Sequence, residues 1–67
     1  MQLYKVPDMT CGHCVQTIEK AVKALDPSAE VICNLKTREV SVEARALPRE
    51  VAEALAAVGY DAALIEA

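Results

Sequence analysis

The 67-residue sequence contains no tryptophan and no phenylalanine, and it has only two tyrosines and two glycines. A core formed by this chain must therefore consist mainly of aliphatic residues and alanine. Because a domain of this size buries only about 60% of the surface of its unfolded chain, that core is small. The length predicts a single domain that covers residues 1–67.

The sequence also lacks a basic cluster, a long apolar run and a signal peptide. Seven Lys and Arg residues are scattered among ten acidic residues, and the net charge is −3. Nucleic-acid binding requires a concentrated basic surface, so we expect no nucleic-acid partner. No apolar stretch approaches the roughly 18 residues of a membrane span, and we expect no direct membrane insertion. An N-terminus without a basic start or an apolar stretch favours a cytoplasmic protein.

The spacing of apolar residues predicts six elements in the order β-α-β-β-α-β. Alternating polar and apolar residues indicate strands, whereas apolar residues three and four positions apart indicate helices. The predicted strands cover residues 2–6, 30–35, 39–44 and 60–66, and the predicted helices cover 12–25 and 48–58, with Gly59 as the C-terminal cap. Two helices on one face of a four-stranded antiparallel sheet would bury both apolar helix faces. The sequence therefore predicts an α+β, ferredoxin-like fold.

The same spacing identifies the residues that are expected to face the core. They are Val15, Ile18, Val22, Leu25, Val51, Ala54, Leu55 and Val58 in the helices, and Val31, Cys33, Leu35, Val40, Val42 and Leu64 in the strands. Cys33 lies between two apolar neighbours on its face. We interpret its thiol as a small buried hydrophobic group and not as a ligand.

The other two cysteines lie in the segment M-T-C-G-H-C (residues 9–14), where the first strand meets the first helix. Three cysteines are an odd number for a disulfide framework, and a bridge between Cys11 and Cys14 would close too small a loop to stabilise the chain much. At a helix start, unpaired backbone N–H groups and the positive end of the helix dipole lower the pKa of a thiol. Cys11 and Cys14 are therefore candidate thiolate ligands.

The number of ligands distinguishes the metals that such a site could hold. A structural zinc site requires four protein ligands, whereas thiolates in small number suit the soft Cu(I) ion. His13 is a candidate third ligand; alternatively, it bridges two chains around shared copper or tunes the thiolates by its charge. An exposed site with few ligands stays open to attack by a thiolate of another protein, which favours a metal carrier.

The M-T-C-x-x-C segment and the later G-Y-D-A (residues 59–62) resemble two segments of the heavy-metal-associated domain family. These are the metal-binding loop of that family and the start of its last strand. The resemblance covers the chain from Tyr4 to about Leu64, and the bacterial CopZ-like copper chaperones are the most similar members. It implies that Cys11 and Cys14 bind Cu(I) and that the ion is transferred to a copper-exporting P-type ATPase.

The resemblance also implies roles for two neighbours of the cysteines. Met9 is expected to point inward and to anchor the loop from beneath, and Tyr60 is expected to lie near the metal and to tune its ligands. We expect a monomer without metal, and a dimer bridged by shared copper is an alternative for the loaded protein.

Other interpretations of the motif stay open. C-G-H-C is also the tetrapeptide of protein disulfide isomerase active sites, but thioredoxin-like folds need a longer chain and an aromatic residue where this chain has Thr10. Mercury carriers contain a similar loop but have a signal peptide. A carrier of zinc or cadmium would use His13 or Asp8 as a further ligand. The chain could also be a domain of a copper ATPase, although its start at Met1 and its end after the last strand favour a free-standing carrier that is not an enzyme.

Overall fold

The computed structural model describes residues 2–66, which form four strands and two helices. The strands form one antiparallel sheet in the order β2-β3-β1-β4, which confirms the predicted ferredoxin-like fold. None of the helices in this part of the chain is long and apolar enough to cross a membrane. In chain order, the elements are β1 (Gln2–Lys5), α1 (Gly12–Leu25), β2 (Glu30–Asn34), β3 (Glu39–Glu43), α2 (Pro48–Ala57) and β4 (Ala63–Glu66).

The core lies between the sheet and the two helices, with Tyr4 of the central strand β1 as its largest side chain. The Tyr4 hydroxyl hydrogen-bonds the Gln2 side-chain oxygen and lies 3.3 Å from the Pro48 carbonyl. The polar end of the buried ring is thereby satisfied. The fully buried side chains are Tyr4, Val6, Met9, Ile18, Val22, Val40, Val42, Val51 and Leu55.

Four residues that the sequence predicted to face the core are substantially exposed, so that part of the prediction is wrong. Leu25 and Val58 are 38% and 42% exposed, because they lie at or just beyond the last turns of their helices. Leu35 is 42% exposed because it follows the end of β2. Leu64 pairs with Tyr4 and shares its side of the sheet, yet it is 47% exposed because β4 lies at the edge of the sheet.

The start of β4 is the largest error in the predicted boundaries, since the other element ends differ by at most one residue. The Tyr60 N–H donates to the Leu55 carbonyl at 2.9 Å, and the Gly59 N–H donates to the Ala56 carbonyl at 3.0 Å. Gly59 has φ of +92°, and these two bonds form a Schellman motif at the end of α2. Because residue 60 belongs to the helix cap, β4 begins only at Ala63.

Two leucines of different burial test this distribution of the core. Leu55→Ala should lower the free energy of unfolding by about 2–5 kcal/mol, because it leaves a cavity among fully buried side chains. Leu64→Ala is the matched control and should cost less than about 1 kcal/mol, because the side chain is half exposed. Urea unfolding of the metal-free variants under reducing conditions measures both. Equal losses would contradict the core described here.

Candidate metal-binding site

The candidate site lies on the thiol loop, residues 9–14, which leads from β1 into α1. Cys11 is the N-cap residue, with φ of −151° and ψ of 169°, and its carbonyl accepts the Val15 N–H at 3.2 Å. Cys14 lies in the first turn of α1, so its side chain returns towards the cap, and the two sulfurs are 3.3 Å apart. A disulfide bond is about 2.05 Å long, so these are separate thiols, and one ion could contact both.

Met9 attaches the thiol loop to the core. Its side chain is fully buried, although Thr10 and Cys11, which follow directly, are exposed. The Met9 backbone N–H donates to the Val6 carbonyl at 3.1 Å and closes a tight turn before the loop. This position suits the predicted role of Met9 as the anchor of the loop. That its thioether sulfur does not bind metal stays a prediction.

The two thiols differ in exposure. Cys11 is exposed at the tip of the loop, whereas only 9% of Cys14 is exposed, because the first turn of α1 holds it against the core. An incoming protein would therefore meet Cys11 first. The site thus combines one accessible sulfur with one sulfur that is held in place.

The pKa of the Cys14 thiol is lowered to about 6 by hydrogen bonds to its sulfur. A hydrogen bond from the Tyr60 hydroxyl is the largest cause, followed by the Thr10 backbone N–H and the Cys11 thiol, whereas burial has a smaller influence in the opposite direction. The same contact with Cys14 is the main cause that raises the pKa of Tyr60, with burial next. Cys14 is thus largely a thiolate at neutral pH, and the thiolate is the form that binds metal.

His13 lies beside this pair on the exposed surface of α1. Its backbone carbonyl accepts the Thr17 hydroxyl at 3.0 Å, within the first turns of the helix. Between residues 2 and 66, no three His, Cys, Asp or Glu side chains are gathered closely enough to enclose a metal ion. Participation of His13 or Asp8 as a further ligand stays a prediction.

Cys33 has a different environment from the thiols of the loop. It lies on β2, half-buried against the core, and burial raises the pKa of its thiol to about 11, with the negative charge of Glu19 as a smaller cause. Cys33 is therefore an uncharged thiol at neutral pH. This environment suits the interpretation of Cys33 as an apolar residue.

The sequence predicted backbone N–H groups beside the thiols and Tyr60 near the metal, but not which of these groups lower the pKa of Cys14. The Thr10 N–H is a backbone group, and no residue type signals its direction. Tyr60 was singled out by family resemblance, but its contact with the thiolate depends on the Schellman motif that turns the chain at Gly59. A glycine followed by an aromatic residue after an amphipathic helix is the signal that could have indicated this turn.

Comparisons with known proteins agree with this fold. Residues 3–61 match the heavy-metal-associated domain. The copper chaperone CopZ of Enterococcus hirae is 34% identical, and the match covers 96% of this chain and 97% of the relative. The copper chaperone CopZ of Bacillus subtilis is 36% identical over 62 residues, which cover 88% of this chain and 90% of the relative. The crystal structure of a gold-binding protein has a TM-score of 0.94 and 32% identity, and the match covers 97% of this chain and all of that one.

The structure is thus a small α+β domain, with a sheet of four antiparallel strands, two helices on one face and a pair of thiols at the start of the first helix. The chain belongs to the heavy-metal-associated domain family, and it is similar over nearly its whole length to bacterial copper chaperones. The resemblance drawn from the sequence is thereby confirmed.

The contact between Tyr60 and Cys14 makes a prediction for the metal-free protein. Tyr60→Phe should raise the pKa of Cys14 from about 6 towards the ordinary value of a thiol, because the largest cause of its lowering is removed. The fraction of thiolate at pH 7 then falls. The chemical shift of Cys14 in protein with isotope-labelled cysteine, followed from pH 4 to pH 10, measures the change.

Cys33→Val provides the control for this titration. Because the pKa of Cys33 is about 11, its replacement should leave the midpoint of Cys14 unchanged. An unchanged midpoint in Tyr60→Phe would show that the hydroxyl does not stabilise the thiolate.

Proposed function

We propose that this protein is a copper chaperone that binds one Cu(I) ion between the thiolates of Cys11 and Cys14 and passes it to another protein. The observation that carries the proposal is the pair of sulfurs 3.3 Å apart, one exposed and one held as a thiolate. Soft thiolates select Cu(I), and a site with few ligands suits it better than zinc, which requires four in a structural site. The two CopZ relatives, which are copper chaperones by name, support the same ion.

Transfer would proceed by ligand exchange and not by catalysis. A thiolate of the receiving protein attacks the bound ion near the exposed Cys11, which gives an intermediate with three sulfur ligands. Cys11 then leaves, and Cys14, the less accessible of the two, is released last, when a second thiolate of the receiving protein replaces it. No covalent bond of the protein is made or broken, so we assign a carrier function and no enzymatic activity.

The receiving protein in this proposal is a copper-exporting P-type ATPase. Family resemblance supports this partner, and the exposed thiol loop offers the surface for a short-lived encounter. We further propose a single domain over residues 1–67 that acts in the cytoplasm as a monomer when metal-free. In this proposal His13 acts as an added ligand if two loaded chains share copper.

Substitution of the cysteines tests the proposal directly. Cys11→Ser and Cys14→Ser should each weaken Cu(I) binding by more than about 100-fold, because removal of a ligand costs more than the loss of a neighbouring contact. Cys33→Val is the matched control and should bind Cu(I) as the unmodified protein does, since this thiol is half-buried on β2. Competition with a coloured Cu(I) chelator measures the affinities. A loss in Cys33→Val as large as in Cys14→Ser would overturn the assignment of the ligands.

A second candidate cargo is Au(I), another soft ion, because a gold-binding protein shares this fold with a TM-score of 0.94. Two thiolates alone distinguish these ions poorly, since both accept few sulfur ligands. When the protein is dialysed with a competing thiol against equimolar amounts of two ions, it should prefer Cu(I) to Zn(II) and Cd(II), whereas Au(I) should compete with Cu(I). Elemental analysis of the dialysed protein measures the outcome. Retention of Zn(II) or Cd(II) in place of Cu(I) would reassign the cargo.

A further inference from the structure

The turn between β2 and β3 (residues 35–38) contacts the end of β1, just before the thiol loop. The Val6 N–H donates to the Arg38 carbonyl at 2.8 Å, and the Arg38 guanidinium donates to the Pro7 carbonyl at 3.3 Å. The Lys5 ammonium also donates to the Thr37 carbonyl. One short turn thus holds three successive residues that lead to the thiols.

This turn is itself well determined. The Asn34 side-chain oxygen accepts the backbone N–H groups of Lys36 at 3.0 Å and Thr37 at 3.3 Å. Arg38 then adopts φ of +58°, a left-handed conformation in which glycine and asparagine are common and arginine is uncommon. A strained residue of this kind persists where its surroundings or its function require it.

Backbone hydrogen bonds connect Arg38 through Val6 to Met9, two residues before the first thiol. The buried Val6 gives its N–H to Arg38 and accepts the N–H of Met9 at 3.1 Å. Met9 is fixed in the core, and the exposed Thr10 and Cys11 follow it directly along the chain. A displacement at Pro7 would therefore move Cys11 relative to Cys14, which is held in α1 3.3 Å away.

We propose that Arg38 is a positioning residue for the thiol loop, whose carbonyl and guanidinium hold Val6 and Pro7 and so fix the approach of the chain to Cys11 and Cys14. The effect on Cu(I) affinity rests on the proposed function, whereas the contacts of Arg38 do not depend on it. A preorganised pair of thiols binds an ion more tightly than a pair that must be ordered on binding. Because the guanidinium bond is exposed and long, its contribution is modest.

Arg38→Asn is the informative variant, because asparagine tolerates the left-handed conformation but cannot reach Pro7 with a guanidinium. In the metal-free protein, the amide of Met9 should exchange with solvent about threefold to tenfold faster. The affinity for Cu(I), measured with the same chelator, should fall by about the same factor. Arg38→Lys keeps a donor at this position and should lie closer to the unmodified protein in both measurements.

Lys36→Asn is the matched control, since it removes one positive charge from the same turn and its side chain makes none of the contacts described above. It should change neither the exchange of Met9 nor the affinity. If Arg38→Asn and Lys36→Asn change the exchange of Met9 and the affinity for Cu(I) equally, the positioning role is wrong. If the unmodified protein fails to bind Cu(I), the proposed function fails, while faster exchange of Met9 in Arg38→Asn alone would still support the positioning role.

Discussion

The burial of Met9 is the constraint on which the geometry of the candidate site depends. In a chain without phenylalanine or tryptophan, Met9 is one of the largest side chains of the core. Burial of such a side chain contributes about 1.5–3 kcal/mol, which is large for a domain of this size. The loop cannot move away from the sheet without exposing it, so the thiols two and five residues later start from a fixed point.

Cys14 receives a second constraint from a distant part of the sequence. The Schellman motif at the end of α2 turns the chain at Gly59 and leaves Tyr60 beside the sulfur, while the loop amides approach from β1. Two segments that are 46 positions apart, as residues 60 and 14 are, thus converge on one atom. Hydrogen bonds from both lower its pKa, so the thiolate is stabilised by the folded state and not by the tetrapeptide alone.

The fold could be predicted from the sequence because periodicity reports directly which side of an element is apolar. The bounds of α1 and the inward direction of Val40 and Val42 followed from spacing alone. Periodicity does not report how far a covering layer extends, which is why Leu64 points towards the helices and is still half exposed. The start of β4 was missed for another reason, since the N–H of Tyr60 is used by the helix cap.

The sequence predicted the two candidate thiols and a lowered thiol pKa, but not the difference between the two. Cys11 and Cys14 are visible as a motif, but the difference between them arises from burial and hydrogen bonds that only the folded chain supplies. That difference matters for a carrier, because two equally exposed thiols would release an ion readily and two equally buried thiols would release it slowly. With one thiol held as a thiolate and one at the surface, the proposed exchange would begin at Cys11 while Cys14 retained the ion. A carrier of this kind would meet two opposing requirements, retention and release, with two residues in different environments rather than with a larger set of ligands.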